Sequence, residues 1–181
     1  MIRKSAKDSP WLVLLSGASS SGKTTLAKAL AKHSLECKRP FLHIDSDQFV
    51  PNCPFSREDS HAKRASFNRA ICNSVLAFAD QGFDLVIDGI LPYGEPELLA
   101  NTLETFQRYA LCYVGVHCNL HVLEQRESLR KNRTQGWARK QFNDLHQGQK
   151  YTLEVDTSMS ETQEIVNTIW SYMFIRNPYT S

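Results

Sequence analysis

The apolar run Trp11-Leu-Val-Leu-Leu15 leads directly into Ser16-Gly-Ala-Ser-Ser-Ser-Gly-Lys-Thr-Thr25, and then into Leu-Ala-Lys-Ala-Leu-Ala-Lys-His. Apolar strand, glycine-serine loop and helix in immediate succession constrain this chain more than any other feature. Gly17-x4-Gly22-Lys23-Thr24 is a complete Walker A pattern. Its glycines let the backbone curl so that successive N–H groups converge on phosphate oxygens. The helix that begins at the loop adds the positive end of its dipole. Gly17, Ala18, Ser19, Ser20, Ser21, Gly22, Lys23, Thr24 and Thr25 are therefore the expected nucleotide-binding residues. Lys23 is expected to reach the β- and γ-phosphates, and the Thr24 hydroxyl to ligate Mg²⁺. A chance Gly/Ser turn would not need a strand before it and a helix after it. The loop alone leaves open whether the phosphate is hydrolysed, sensed or transferred.

The rest of the 181 residues alternates in the same way. Leu12–Ser16, Phe41–Ile44, Asp84–Ile87, Ala110–His117 and Tyr151–Val155 read as short strands. Helices are predicted over Thr24–Ser34, Ala62–Asp80, Pro96–Arg108, Leu120–Asn132, Trp137–His146 and from Glu161 onward. Within Ala62–Asp80, Phe67, Ile71, Val75 and Phe78 recur at helical spacing. This order predicts one α/β domain over residues 1–181, a three-layer P-loop NTPase fold with a five-stranded parallel sheet covered on both faces. Residues 1–10 are expected to be flexible. The formal charge of +2 gives no ground for a nucleic-acid or membrane partner. With no apolar run long enough to span a bilayer, the expectation is a cytoplasmic protein. The five cysteines form no CxxC pair, and Cys112 and Cys118 are expected in the core.

Ligands of such sheets bind beyond the carboxyl ends of the strands. Three features collect there: the loop, Asp45 and Asp88. No NKxD or DxxG motif marks a GTPase switch. Asp45, in His43-Ile-Asp-Ser-Asp47, ends the second strand, where a carboxylate could take the proton of an attacking alcohol. The alternative is an Asp that caps a helix or supports the metal from behind, and Asp47, two residues beyond the strand, is the weaker candidate for the base. Asp88 closes Leu85-Val-Ile-Asp88 and could hold Mg²⁺, bind a substrate hydroxyl or be purely structural. Arg126, Arg130 and Arg133 are spaced i, i+4, i+7 in the segment Gln125–Gln141, so on one helix they would share a face. That row could clamp phosphate charge as a lid over about residues 126–140, with Gly136 as hinge, or be a solvated basic face.

The whole chain resembles the chloramphenicol phosphotransferase family of small P-loop kinases. The likeness rests on GASSSGKT, HIDSD and LVIDGIL. It rests above all on the order of segments in Val114–Ser158, where an R-E-x-x-R-x-x-R lid is followed by a Y-x-x-E-V-D-T strand. The resemblance implies a five-stranded parallel sheet of nucleoside-monophosphate-kinase type and transfer of the γ-phosphate of ATP to a hydroxyl of a small molecule. It implies Asp45 as base, Arg130 and Arg133 in the lid, and Asp156-Thr157 near the adenine. The chain departs from the family on the acceptor side. The stretch between Asp45 and Asp88 is shorter, and Gly89 stands where a second acidic residue is usual.

The expectation is thus an ATP- and Mg²⁺-dependent kinase acting on a small hydroxylated acceptor, with an antibiotic as one acceptor class. Asp88, Phe49, Val50, Pro51, Phe55 and Tyr93 are the candidate acceptor residues. A metabolic kinase of adenylylsulfate or shikimate type, and a non-catalytic nucleotide-binding module, are the competing expectations.

Overall fold

The computed structural model describes residues 9–46, 48, 61–89, 91–130 and 136–176. Strand β1, Trp11–Ser16, is buried along its whole length. Its side chains alternate between two cores, as the pleat requires. Val13 and Leu15 pack with Leu26, Ala27 and Leu30 of helix α1 (Lys23–Glu36) on one face. Leu12 and Leu14 point to the other face, against Cys72, Val75, Leu76 and Ala79 of helix α2 (His61–Asp80). Each fully buried leucine contributes about 1.5–3 kcal/mol relative to exposure.

Strands β3 (Asp84–Asp88) and β4 (Ala110–His117) flank β1. Strand β2 (Phe41–Asp45) lies outside β3, and β5 (Leu153–Asp156) outside β4. The order β2-β3-β1-β4-β5 is parallel throughout. Helix α3 (Pro96–Phe106) starts on its proline and buries Phe106 in the α2 core. Helix α4 (Leu120–Ser128) is capped by the Asn119 side chain, which accepts from His121 N. It is followed by the short helix α5 (Trp137–Phe142) and, after β5, by α6 (Thr162–Ser171). The last helix runs on into a π-helical turn, Tyr172–Arg176, and seats Ile165, Val166, Ile169 and Met173 in the α1 core.

The expected fold class and five parallel strands are present, but α5 ends at Phe142 rather than His146 and β5 starts at Leu153 rather than Tyr151. Phe78 is 44% exposed, resting edge-on against Phe83. The α2 stripe that reaches the sheet is Cys72, Val75, Leu76 and Ala79, because those small and branched side chains allow close approach. The α4 helix stops at Ser128 rather than Asn132, which leaves Arg130 past its end.

Candidate active site

The loop after β1 is built by close approach and left-handed backbone. A Cβ on Gly17 would lie 2.5 Å from the Val116 carbonyl oxygen and 2.6 Å from Ser21 Oγ, so only glycine lets the loop turn against β4. Gly22 has φ +93° and is the N-cap of α1, whose first turn follows at Lys23. Lys23 Nζ curls back to donate to the Gly17 and Ala18 carbonyls at 2.7 and 2.9 Å, which keeps its charge over the loop.

Parallel register brings the acidic strand ends to this loop. Leu15 pairs with Asp88, and Asp88 with Asp45. Thr24 Oγ1 donates to Asp88 Oδ2 at 2.7 Å, while His43 Nε2 meets Asp88 Oδ1 at 2.9 Å. Ser46 Oγ donates to the Asp88 carbonyl at 3.0 Å. The Asp88 carboxylate is thus buried and aimed by two neighbours, whereas half-buried Asp45 accepts from Gln48 Nε2 at 3.2 Å. A hydroxyl and a carboxylate side by side at the foot of a phosphate loop fit a hard cation that completes its shell with phosphate and water. Among the described residues no group of three His, Cys, Asp or Glu could hold a metal unaided. Thr24 and Asp88 are the residues that could hold such an ion.

On the β5 side, Arg126 is held close to the loop. Its Nη1 donates to Thr157 Oγ1 and its Nη2 to the Thr157 carbonyl, both at 3.1 Å. Thr157 Oγ1 donates in turn to the Ser21 carbonyl at 2.7 Å. Asp156 Oδ1 accepts from Ser158 N at 2.7 Å and shapes the same turn. Arg130 lies past the end of α4 and is exposed, so it does not share a helix face with Arg126 as the spacing predicted. Arg133 lies outside the described residues, as do Phe49, Val50, Pro51, Phe55 and Asp47.

On the other side of the loop opens a cavity of about 350 Å³. Its walls come from Lys23 and the loop, from the segment after β3 and from α5 with the turns behind it. Tyr93, one of the candidate acceptor residues, lines this cavity. Its hydroxyl donates to Asp144 Oδ1 at 2.7 Å, and its ring meets Trp137 edge-on at 5.6 Å. Burial, and then this contact with a carboxylate, raises the Tyr93 pKa to about 12, so the hydroxyl stays protonated and donating. Asp45 is not among the described residues that line this cavity and stands beside Asp88 on its β2 flank.

The sequence profile described as "Chloramphenicol phosphotransferase-like protein" matches residues 11–173. The chain belongs to the chloramphenicol phosphotransferase-like family. A relative from Mycobacterium tuberculosis strain H37Rv, named "Putative O-phosphotransferase", is 26% identical over 184 aligned positions, covering 87% of this chain and 80% of the relative. Among solved structures, the adenylylsulfate (APS) kinase CysC of M. tuberculosis, in complex with AMPPNP and APS, superposes with a TM-score of 0.68 at 18% identity, covering 91% of this chain and 97% of that one. A gluconokinase from Sinorhizobium meliloti superposes with a TM-score of 0.57 at 19% identity, covering 89% and 90%. These two likenesses concern the fold. In family and fold, the chain is a P-loop kinase.

This chloramphenicol phosphotransferase-like chain also carries site residues that sequence reasoning missed. Glu127, buried at the end of α4, accepts from Gly136 N at 2.8 Å and Ala138 N at 2.9 Å, bracing the start of α5. Gln141 Oε1 accepts from Ser19 N of the phosphate loop at 2.6 Å. The R-E pair and the Lys-Gln end of the lid segment were visible in the sequence, but only as part of a basic run. Behind the loop, Tyr151 packs its ring over Gly115, where a Cβ would approach to 2.6 Å. Its hydroxyl bonds His146 Nδ1 at 2.7 Å and Ser16 Oγ at 3.3 Å. Burial, then the stacked His117 and Lys23, lower the His146 pKa to about 4, against the opposing pull of Glu154. A neutral imidazole accepting at Nδ1 from the phenol fits this arrangement.

Proposed function

We propose that this protein transfers the γ-phosphate of ATP to a hydroxyl group of a small molecule, with Asp45 as the general base. The observation that carries the reading is the common edge of the sheet. There the phosphate loop, the Thr24–Asp88 pair and Asp45 stand side by side, next to a cavity large enough for a small acceptor. In the reaction the acceptor oxygen attacks the γ-phosphorus and its proton passes to Asp45. The bond from the γ-phosphorus to the bridging oxygen breaks, and that electron pair leaves on ADP. Lys23 and the loop N–H groups hold the phosphates, and Thr24 and Asp88 would hold Mg²⁺. The ion when bound supplies neutralisation of phosphate charge. Arg130 and Arg133 serve as the lid's phosphate clamp, and Arg126 with Asp156 and Thr157 forms the wall toward the nucleoside.

The cavity also speaks to the class of acceptor. Glu95 and Asp144 line it, and Lys23 is the one cation among its described lining residues. A neutral or cationic polyhydroxy compound fits this lining better than an anionic acceptor such as a sulfated nucleotide or a cyclic acid. Tyr93 and Trp137 offer it aromatic faces. This favours an antibiotic- or sugar-like alcohol over the adenylylsulfate or shikimate alternative.

The test is phosphorylation of an acceptor identified by mass detection of product, with wild type and Asp45→Asn compared. The reading predicts a loss of at least a hundredfold in kcat with KM for ATP little changed. Transfer at the wild-type rate by the variant would remove Asp45 from the role of base.

A further inference from the structure

Gln141 sits on a short helix after the lid, yet its side chain reaches the phosphate loop 122 positions earlier in the chain. Ser19 N–H can only donate, so the atom facing it is the carboxamide oxygen. That bond fixes which end of the amide faces Ser19 and leaves Nε2 as the other end. Nε2 makes no hydrogen bond among the described residues. The residue is only 9% exposed and lines the cavity that also contains Lys23. The side chain lines the same cavity as the Walker lysine, and its two N–H donors, which no described residue takes, are available there to a ligand oxygen.

The position along the loop says which oxygen. Ser19 is the third residue of Gly17–Thr24, and it lies on the cavity side together with Gly17 and Lys23. Arg126 and Thr157 stand elsewhere, beside Ser21 and Gly22. The end of the loop that Gln141 touches is therefore the end facing the acceptor, where the terminal phosphate of a nucleotide meets the attacking hydroxyl.

We propose that Gln141 is a catalytic residue that donates through Nε2 to a non-bridging oxygen of the γ-phosphate. The proposal rests on the kinase reading above. It assigns the Ser19 bond a purpose: the loop holds the amide oxygen so that its nitrogen is already aimed before nucleotide arrives. It also gives α5 a part in the chemistry, because bracing of its start by Glu127 then positions a group that touches the transferred phosphate.

Calorimetric titration of the whole chain with MgADP and with MgAMPPNP separates this role from that of a strut. Gln141→Glu keeps an acceptor for Ser19 N–H but replaces the Nε2 donor with negative charge. Gln141→Met keeps the volume and offers neither. The expected result is an ADP affinity within twofold of wild type in both variants. AMPPNP affinity is expected to fall at least tenfold in Gln141→Glu and severalfold in Gln141→Met. Equal changes for the two nucleotides, or no change for either, would overturn the proposal. If Gln141→Glu does not fold, the Gln141→Met pair of titrations decides by the same criterion. Wild-type protein that binds neither nucleotide would overturn the kinase reading itself, and this inference with it.

Discussion

Thr24 and Asp88 are 64 positions apart in sequence, yet their side chains meet at 2.7 Å. Each was picked out by its sequence neighbours alone: a hydroxyl after Gly-Lys, and a carboxylate closing an apolar run. Replacing Thr24 by Ala removes the hydroxyl that shares the expected metal position with Asp88. Steady-state assays should show a loss of a hundredfold or more in kcat/KM, about 3 kcal/mol of transition-state stabilisation. Full activity in Thr24→Ala would detach the hydroxyl from catalysis. At Gly115 the physics is steric. A methyl group there would press on the Tyr151 ring at 2.6–2.9 Å. Gly115→Ala should cost about 1–3 kcal/mol by overpacking, read as a lowered thermal midpoint. No drop in the midpoint would mean that the ring yields freely. Glycine at that site was unreadable from sequence because its reason lies in a tyrosine 36 positions further on.

At the scale of elements, the strands were easier to place than the ends of the helices. Buried parallel strands announce themselves as apolar runs, and Asp45 and Asp88 were found because strand ends are where such runs stop. The end of α4 was misplaced because Leu129, Arg130, Lys131 and Asn132 carry no strong breaker. What ends the helix early lies partly in Glu127, whose carboxylate turns to the backbone of Gly136 and Ala138. Contacts of that kind are set by tertiary packing, as are Ser19–Gln141 and Tyr93–Asp144, and no local pattern encodes them. Glu127→Ala leaves two backbone donors without their partner and should cost about 2–4 kcal/mol. Glu127→Gln, which keeps one acceptor, should lose less. Denaturant unfolding of the pair checks the order, and equal stability of the two would contradict it.

Across the whole molecule, the order β2-β3-β1-β4-β5 places β1 between strands that diverge on either side, and the phosphate loop opens into that crevice. One consequence extends to the protein's response to acid. His146 has its folded pKa lowered from 6.5 to about 4, so the unfolded chain binds its proton first as pH falls. Stability should therefore decline as pH falls from about 6.5 toward 4, and be fully present above that window. The groups facing His146 are Tyr151, His117, Glu154 and Lys23. Thermal midpoints measured between pH 7 and 5 should slope downward in wild type and flatten in His146→Gln. An unchanged slope in the variant would place the acid sensitivity elsewhere.

The central claim is that the loop serves transfer to a hydroxyl, and the fate of the γ-phosphate tests it most directly. The protein is incubated with ATP carrying ¹⁸O in the γ-phosphate and a panel of neutral and cationic polyhydroxy compounds, then analysed by mass spectrometry. The account predicts labelled phosphate on one acceptor, formed in step with ADP and abolished by Asp45→Asn. Labelled inorganic phosphate as the sole product, released at one rate with or without any acceptor and unaffected by Asp45→Asn, would contradict it.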